Sequence, residues 1–316
     1  MNRSCALITG AAGQDGRLLS RRLVAAGHRV VGLVRQPAPM PEAGVELLAC
    51  DVGDCAALTA ALERFRPDRI FHLAARHHSS DGDAGDAALL SREMVRVNFH
   101  AAATIFDWIA TRARSARVIF AGSSQMYPAA GEGDCRIDEA TAAVPRTFYG
   151  TTKAWVRDLA RHGRERLGLH AGFAILFNHE SELRGPGFVT RKIVEAAASG
   201  AALELADIGA RADWSAAADI VEALARMADA PTPGEYVLGS GAAHSVRDWV
   251  DIAYARTGAD RAKVVAREDR RAGALVADRT RAERELGWRP RTDFRTLVEG
   301  MADAALREFR SRGTAR

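Results

Sequence analysis

Tyr149 and Lys153, in the run Tyr-Gly-Thr-Thr-Lys, have the residue types and spacing best suited to chemistry in this chain. On a helix, a separation of four puts both side chains on one face, a turn apart. The ammonium is then expected to draw the phenol's pKa down from about 10 towards working pH. That would leave a hydroxyl able to give or take a proton beside a substrate oxygen. Upstream, Ser123-Ser124-Gln125-Met126-Tyr127 offers a second hydroxyl, Ser123, to orient a carbonyl. Only three of the 44 basic residues are lysines (Lys153, Lys192 and Lys263), so lysine at 153 stands against the chain's habit. A compact ammonium suits that position better than a planar guanidinium fork. The bland alternative is a surface Tyr/Lys pair on an ordinary helix.

The elements before this pair read as a nucleotide-binding fold. A short apolar run at 4–9 predicts a buried strand, followed by Gly10-Ala-Ala-Gly13-Gln-Asp-Gly16 and a helical pattern through Leu18, Leu19, Leu23 and Val24. Strand, glycine turn and helix in that order seat a pyrophosphate on a helix N-terminus. Gly10, Gly13, Gln14, Asp15 and Gly16 are therefore expected cofactor contacts. The GxxGxxG spacing alone is weak; its flanking strand and helix strengthen it.

Strands are expected at 28–34, 46–49, 69–72 and 118–121, with a helix at 54–65 and a long amphipathic helix at about 87–114. An NAD site usually offers an acid at the end of the second strand. Val34 and Arg35 stand there instead, so NADP(H) is expected in preference to NAD(H), with Arg35 on the extra phosphate unless it is an ordinary surface arginine. Asp51, next to Val52, is expected beside the adenine, and Leu73, Ala74 and Ala75 where the backbone passes the cofactor. Residues 79–86, rich in Ser, Gly and Asp, read as an active-site loop. The fold class is α/β: a Rossmann doubly wound parallel sheet with a smaller, discontinuous C-terminal substrate lobe. Residues 1–177 with about 215–240 are expected to bind NADP, and 178–214 with 241–316 to form the lobe.

After a strand at 171–177 comes Asn178-His-Glu-Ser-Glu-Leu-Arg184-Gly-Pro-Gly-Phe188-Val-Thr190-Arg191-Lys192. Basic residues around a glycine-proline turn that opens a helix suit a second anion, the diphosphate of a nucleotide-linked substrate; a solvated basic loop is the alternative. Histidines fit no zinc spacing, and no metal is expected. His77 and His78 are adjacent; one is a candidate to line the site, and the default is a loop position without a role.

Composition excludes several classes. At 316 residues, 47% hydrophobic and 27% charged, the chain is globular. The net charge of +4 comes without a basic tract interleaved with aromatics, so nucleic acid is not expected as a partner. No apolar run reaches the ~18 residues of a membrane span. Four dispersed cysteines suggest neither a disulfide framework nor a metal site, and a cytoplasmic location is expected.

The fingerprint, the Ser…YxxxK arrangement and the order of elements resemble the extended short-chain dehydrogenase/reductase family. More narrowly, Ala6-Leu-Ile-Thr-Gly-Ala-Ala-Gly-Gln-Asp-Gly16, Leu33-Val-Arg35, Ile175-Leu-Phe-Asn-His-Glu-Ser181, Phe188-Val-Thr-Arg-Lys-Ile193, Asp213-Trp214, His244-Ser-Val-Arg247 and Leu286-Gly-Trp288 resemble the GDP-mannose 4,6-dehydratase family. The resemblance implies a GDP-linked sugar bound by Ser124, Asn178, Arg184, Val189, Thr190, Lys192 and Arg211. It also implies a homodimer, with a tetramer possible.

Three departures matter. The family's Thr-Ser-Glu triplet reads Ser123-Ser124-Gln125 here, and a neutral amide cannot titrate as the dehydration acid/base. The segment between Arg35 and Asp51 is shorter than the family's. The family's Arg-Asp-Trp reads Ala212-Asp213-Trp214, with Arg211 displaced by one. The expectation is therefore an NADP(H)-dependent GDP-sugar oxidoreductase acting at C4, reducing GDP-4-keto-6-deoxymannose or a heptose analogue. Ser123, Tyr149 and Lys153 would carry the chemistry, with Gln125 in the vacated acid/base position. A dehydratase in which Asp134, Glu132 or a histidine substitutes is one alternative. A non-catalytic NADP-binding regulatory protein is another.

Overall fold

The computed structural model describes residues 4–36, 42–77, 87–270 and 272–313. The chain opens with β1 (Cys5–Thr9), α1 (Gln14–Ala25), β2 (Arg29–Val34), β3 (Val45–Ala49), α2 (Cys55–Phe65) and β4 (Arg69–His72). Next come α3 (Ala87–Met94), a π turn (Val95–His100), α4 (Ala101–Arg112), β5 (Arg117–Ala121), a 3-10 turn (Ser124–Met126) and β6 (Cys135–Ile137). The middle of the chain forms α5 (Phe148–Leu167), β7 (His170–Leu176), β8 (Asn178–Glu180), α6 (Val189–Ser199), β9 (Leu203–Asp207) and β10 (Arg211–Ala216). Then follow α7 (Ala217–Asp229), β11 (Glu235–Leu238), β12 (Ala243–Ser245), α8 (Val246–Thr257), β13 (Val264–Glu268), β14 (Leu275–Ala277), α9 (Thr280–Leu286) and α10 (Phe294–Gly313).

Seven parallel strands form the main sheet, ordered β11-β7-β5-β4-β1-β2-β3. Alternation within each strand serves two cores. Cys5 and Leu7 of β1 face a layer with α2, α4 and α5, while Ala6 and Ile8 face α1 and α7. Burial on both faces is why β1 reads as an unbroken apolar run. The strand order reverses between β1 and β4, and there the carboxyl ends of the strands open a crevice.

A third core joins α6, α8 and α10 to β9, β10 and β13, with Trp214, Trp249 and Phe294 meeting edge-on or tilted. Buried Asp213 fastens this region to the main sheet. Its oxygens accept from Ser240 N and Oγ (2.7 and 2.6 Å), Gly241 N (2.9 Å) and Ala277 N (3.0 Å). Strand β6, which lies early in the chain, pairs with β14 rather than with the main sheet.

The single helix expected at 87–114 is interrupted. The π turn inside it carries Asn98, which is fully buried and bonded both ways to the Arg76 backbone: Arg76 N donates to Oδ1 (2.7 Å) and Nδ2 donates to Arg76 O (2.9 Å). Heptad-like periodicity cannot register the extra residue of such a turn.

Candidate active site

At the crevice, Gly10 takes φ +72°, and a Cβ there would lie 2.9 Å from Ala74 N. At Gly16 it would lie 2.4 Å from the Gly10 carbonyl oxygen. The turn can thus pack tightly between the end of β1 and the segment after β4. No side chain caps α1 at Gly13, which leaves its first amides for an anion. Thr9 ties the two strand ends together: its hydroxyl meets His72 Nδ1 at 2.9 Å and accepts from Leu73 N and Ala74 N, both at 3.1 Å. Burial, aided by the Lys153 charge, pushes His72 down to about 3, so its imidazole is neutral.

Behind this turn, Asn98 Nδ2 also donates to Thr152 Oγ1 (3.0 Å), and Thr152 Oγ1 donates to the Tyr149 carbonyl (2.7 Å). The start of α5 is thereby anchored to the segment after β4. Thr147 caps α5 by accepting from Gly150 N (3.0 Å), and its hydroxyl reaches Gln125 Oε1 at 3.4 Å. Ser123 Oγ accepts from Gln125 N at 3.2 Å, and its hydroxyl is close enough to favour the Tyr149 phenolate. Gln125 itself is exposed.

The expected effect of Lys153 on Tyr149 is corrected here. Burial raises the phenol to about 12, against smaller lowering by the Ser123 hydroxyl and the Arg184 charge. The Lys153 ammonium, only 2% exposed, donates to the Ala121 carbonyl at 2.8 Å and lies 5.7 Å from the Tyr149 ring centre. Burial pulls its own pKa down to about 8. The ammonium's bond is directed to the sheet, and desolvation dominates the phenol.

A second network links α1 to β8. Asp15 Oδ2 meets His179 Nε2 at 2.9 Å, Gln14 Nε2 donates to the His179 carbonyl (3.0 Å), and Ser181 Oγ donates to Gln14 Oε1 (2.9 Å). Burial works against the charge on both partners, yet their attraction holds Asp15 low and His179 high. The side chains of Gln14 and Asp15 are thus turned to β8, leaving their backbone at the crevice. Next to this pair, buried Glu180 takes the Thr190 hydroxyl (2.7 Å) and an ion pair from Arg184 Nε (3.1 Å). Burial raises Glu180 despite both partners. Arg184 stacks on Phe188, 3.5 Å from its ring centre. His77 stacks on the same Phe188 (centroids 5.5 Å, 16°) and tilts towards Tyr149 (6.3 Å).

Other expected residues sit apart. Both oxygens of Asp51 are engaged, by Gly53 N (3.0 Å) and Arg96 Nη1 (2.8 Å). Those bonds overcome burial to keep it low, helped by nearby Arg35, which is exposed at the end of β2. Val52 is buried, while Asn178 is exposed at the start of β8. Val189 and partly buried Lys192 lie on the first turn of α6. Arg211 forms a two-pronged pair with Asp134 (2.6 and 3.1 Å). Ser124 opens the 3-10 turn, Leu73 and Ala74 are half-buried and Ala75 is exposed. His78 and the expected loop at 79–86 lie outside the described residues.

A family model described as GDP-mannose 4,6 dehydratase matches residues 7–301. This chain belongs to the GDP-mannose 4,6-dehydratase family. GDP-mannose 4,6 dehydratase 1 of Arabidopsis thaliana is 30% identical over 344 residues, covering 96% of this chain and 90% of its own. GDP-mannose 4,6-dehydratase of Sinorhizobium fredii (strain HH103) is 31% identical, covering 94% and 95%. In fold alone, dTDP-glucose 4,6-dehydratase of Bacillus anthracis superposes with a TM-score of 0.84 at 14% identity, covering 97% of this chain and 98% of that one.

In this member of the GDP-mannose 4,6-dehydratase family, side chains from the segment after β5, α5, the segment after β4 and the 178–190 segment converge around Tyr149. His77, one of the two histidines that were candidates to line the site, joins that cluster, as do Phe188, Thr147 and Asn98, which were not expected there. His77 stands two residues after Leu73-Ala74-Ala75, in a stretch already expected to pass the cofactor. Nothing in the spacing of the others announced their partners.

Proposed function

We propose that this enzyme is an NADP(H)-dependent GDP-sugar oxidoreductase acting at C4, reducing GDP-4-keto-6-deoxymannose or a heptose analogue. The observation that carries the reading is Gln125, an exposed carboxamide where the resemblance would put the family's acid/base residue, with Ser123, Tyr149 and Lys153 nearby. An amide has no titrating oxygen, and losing general acid/base help typically costs 10²–10⁴-fold. Asp134, a conceivable substitute, is held low by the Ala274 N–H and by Arg211. That charge-assisted pairing makes it a poor proton acceptor.

In this reading the open N-terminus of α1 would receive the pyrophosphate of the nicotinamide cofactor, and Arg35 would favour a 2′-phosphate. The reduced cofactor supplies a hydride to C4. Ser123 would donate to the carbonyl oxygen and Tyr149 would pass it a proton, its phenol being protonated at neutral pH. Lys153 would hold its ammonium against the cofactor ribose, and the basic segment from Asn178 to Lys192 would take the GDP diphosphate. Arg211 would have to leave Asp134 to join it.

The test offers GDP-4-keto-6-deoxymannose with NADPH and follows loss of the reduced nicotinamide absorbance. Consumption that disappears in Tyr149→Phe supports the reading. Absence of consumption, alongside conversion of GDP-mannose to its 4-keto-6-deoxy product without net NADPH change, rejects it.

A further inference from the structure

Two segments that the proposed function gives to different ligands are joined by side chains. One is the opening turn of α1, whose first amides have no side-chain cap; the other begins with β8 and runs on to Thr190. Gln14 stands between them in a fixed orientation. Its Nε2 lies 3.0 Å from the His179 carbonyl oxygen and 3.2 Å from Asp15 Oδ1. A carbonyl and a carboxylate only accept, so that end of the amide is the NH2. Its Oε1 takes the Ser181 hydroxyl at 2.9 Å.

The state of His179 follows from the same reasoning. Nδ1 meets the Phe177 carbonyl oxygen at 2.7 Å, and Nε2 meets Asp15 Oδ2 at 2.9 Å. With Asp15 held low and ionised, both neighbours are acceptors, and only an imidazolium offers two N–H donors. Further along, Ser181 Oγ accepts from Leu183 N (3.1 Å) and the Ser181 carbonyl from Arg184 N (3.0 Å). Glu180 holds both Arg184 and Thr190. A continuous run of bonds thus connects the first turn of α1 with Arg184 and Thr190. Both ends of the Gln14 amide and both His179 nitrogens are engaged, so a shift of either segment would break several bonds at once.

We infer that Gln14, Asp15, His179 and Ser181 are positioning residues that couple the two ligand sites, so that a dinucleotide on α1 and a nucleoside diphosphate on the 184–192 segment each tighten the other's binding. The inference rests on the NADP(H) and GDP-sugar reading above. A ligand that restrains one end of the bridge removes part of the ordering cost that the second ligand would otherwise meet. Linkage makes the effect reciprocal: each ligand strengthens the other by one and the same factor.

The full-length protein is titrated with NADPH by calorimetry, with and without saturating GDP. GDP lacks the sugar that would meet the nicotinamide, so contact between those two groups cannot supply the coupling. Wild type is expected to bind NADPH at least about fivefold more tightly with GDP present, and GDP more tightly by the same factor with NADPH present. In Gln14→Met, and separately in Ser181→Ala, the factor should fall towards one. It is a ratio within one protein, so a change in either affinity alone does not enter it. Asp213→Asn loosens the fastening of the same lobe elsewhere and should keep the wild-type factor, which separates coupling from general loosening. Absence of coupling in wild type that binds both ligands, a wild-type factor in either bridge variant, or loss of the factor in Asp213→Asn as well overturns the inference. Wild type that fails to bind NADPH or GDP rejects the proposed function itself, and this inference with it.

Discussion

Lys153 Nζ donates to the Ala121 carbonyl oxygen at 2.8 Å, so the only lysine of α5 is bound to the end of β5. The bond holds an ammonium in a water-poor position and brings the helix carrying Tyr149 against the sheet edge. Its ordinary value of 10.5 falls to about 8. Between those values the unfolded chain binds the extra proton, so this group's contribution to stability rises with pH across that window and its cost is full below it.

Lys153→Met should therefore be more stable than wild type at neutral pH, by up to about 3 kcal/mol less the lost Ala121 bond. The advantage should shrink by about pH 10.5. Urea unfolding of both proteins at the two pH values measures it, and a gap that does not change with pH contradicts the burial argument. Hydride transfer should be lost in the same variant.

The Asp15–His179 pair predicts the opposite trend. His179 lies above its ordinary 6.5, so its contribution is complete below 6.5 and is lost as pH rises through the folded value. Asp15 lies below 3.8, so its contribution is complete above 3.8 and is lost as pH falls through its folded value. The pair stabilises most between those two ordinary values. His179→Gln should cost about 1–2 kcal/mol near pH 5.5 and clearly less near pH 8.5, measured by urea unfolding. Equal losses at both would rule out a charged pair.

Gly150 carries a geometric prediction. A Cβ there would stand 2.1 Å from the Gln125 carbonyl oxygen, so Gly150→Ala must push the Ser124–Met126 turn away from α5. The variant should fold, since helix propensity favours alanine. Its turnover should fall about 10²-fold through misplacement of Ser123 relative to Tyr149. Comparison of circular dichroism with steady-state rates separates the two effects.

Asp213 predicts a loss of stability away from the chemistry. Asp213→Asn keeps the shape but turns an NH2 towards donors that need an acceptor. A cost of about 2–3 kcal/mol is expected from urea unfolding. A neutral substitution would mean that Ser240, Gly241 and Ala277 find other acceptors.

Local order along the chain was enough for the Rossmann half. Glycines at 10, 13 and 16 between an apolar run and an amphipathic run specify strand, turn and helix because each depends on neighbours a few residues away. The Tyr149–Lys153 spacing likewise specifies a shared helix face. What those two groups titrate as was decided by packing, because desolvation depends on what surrounds a side chain. The partners of Asp15, Arg211 and His77 come from distant segments, and the π turn at Asn98 depends on the Arg76 backbone. Residue types and spacings carry periodicity and turn geometry; only the folded chain selects which distant groups meet and which charges lose their water.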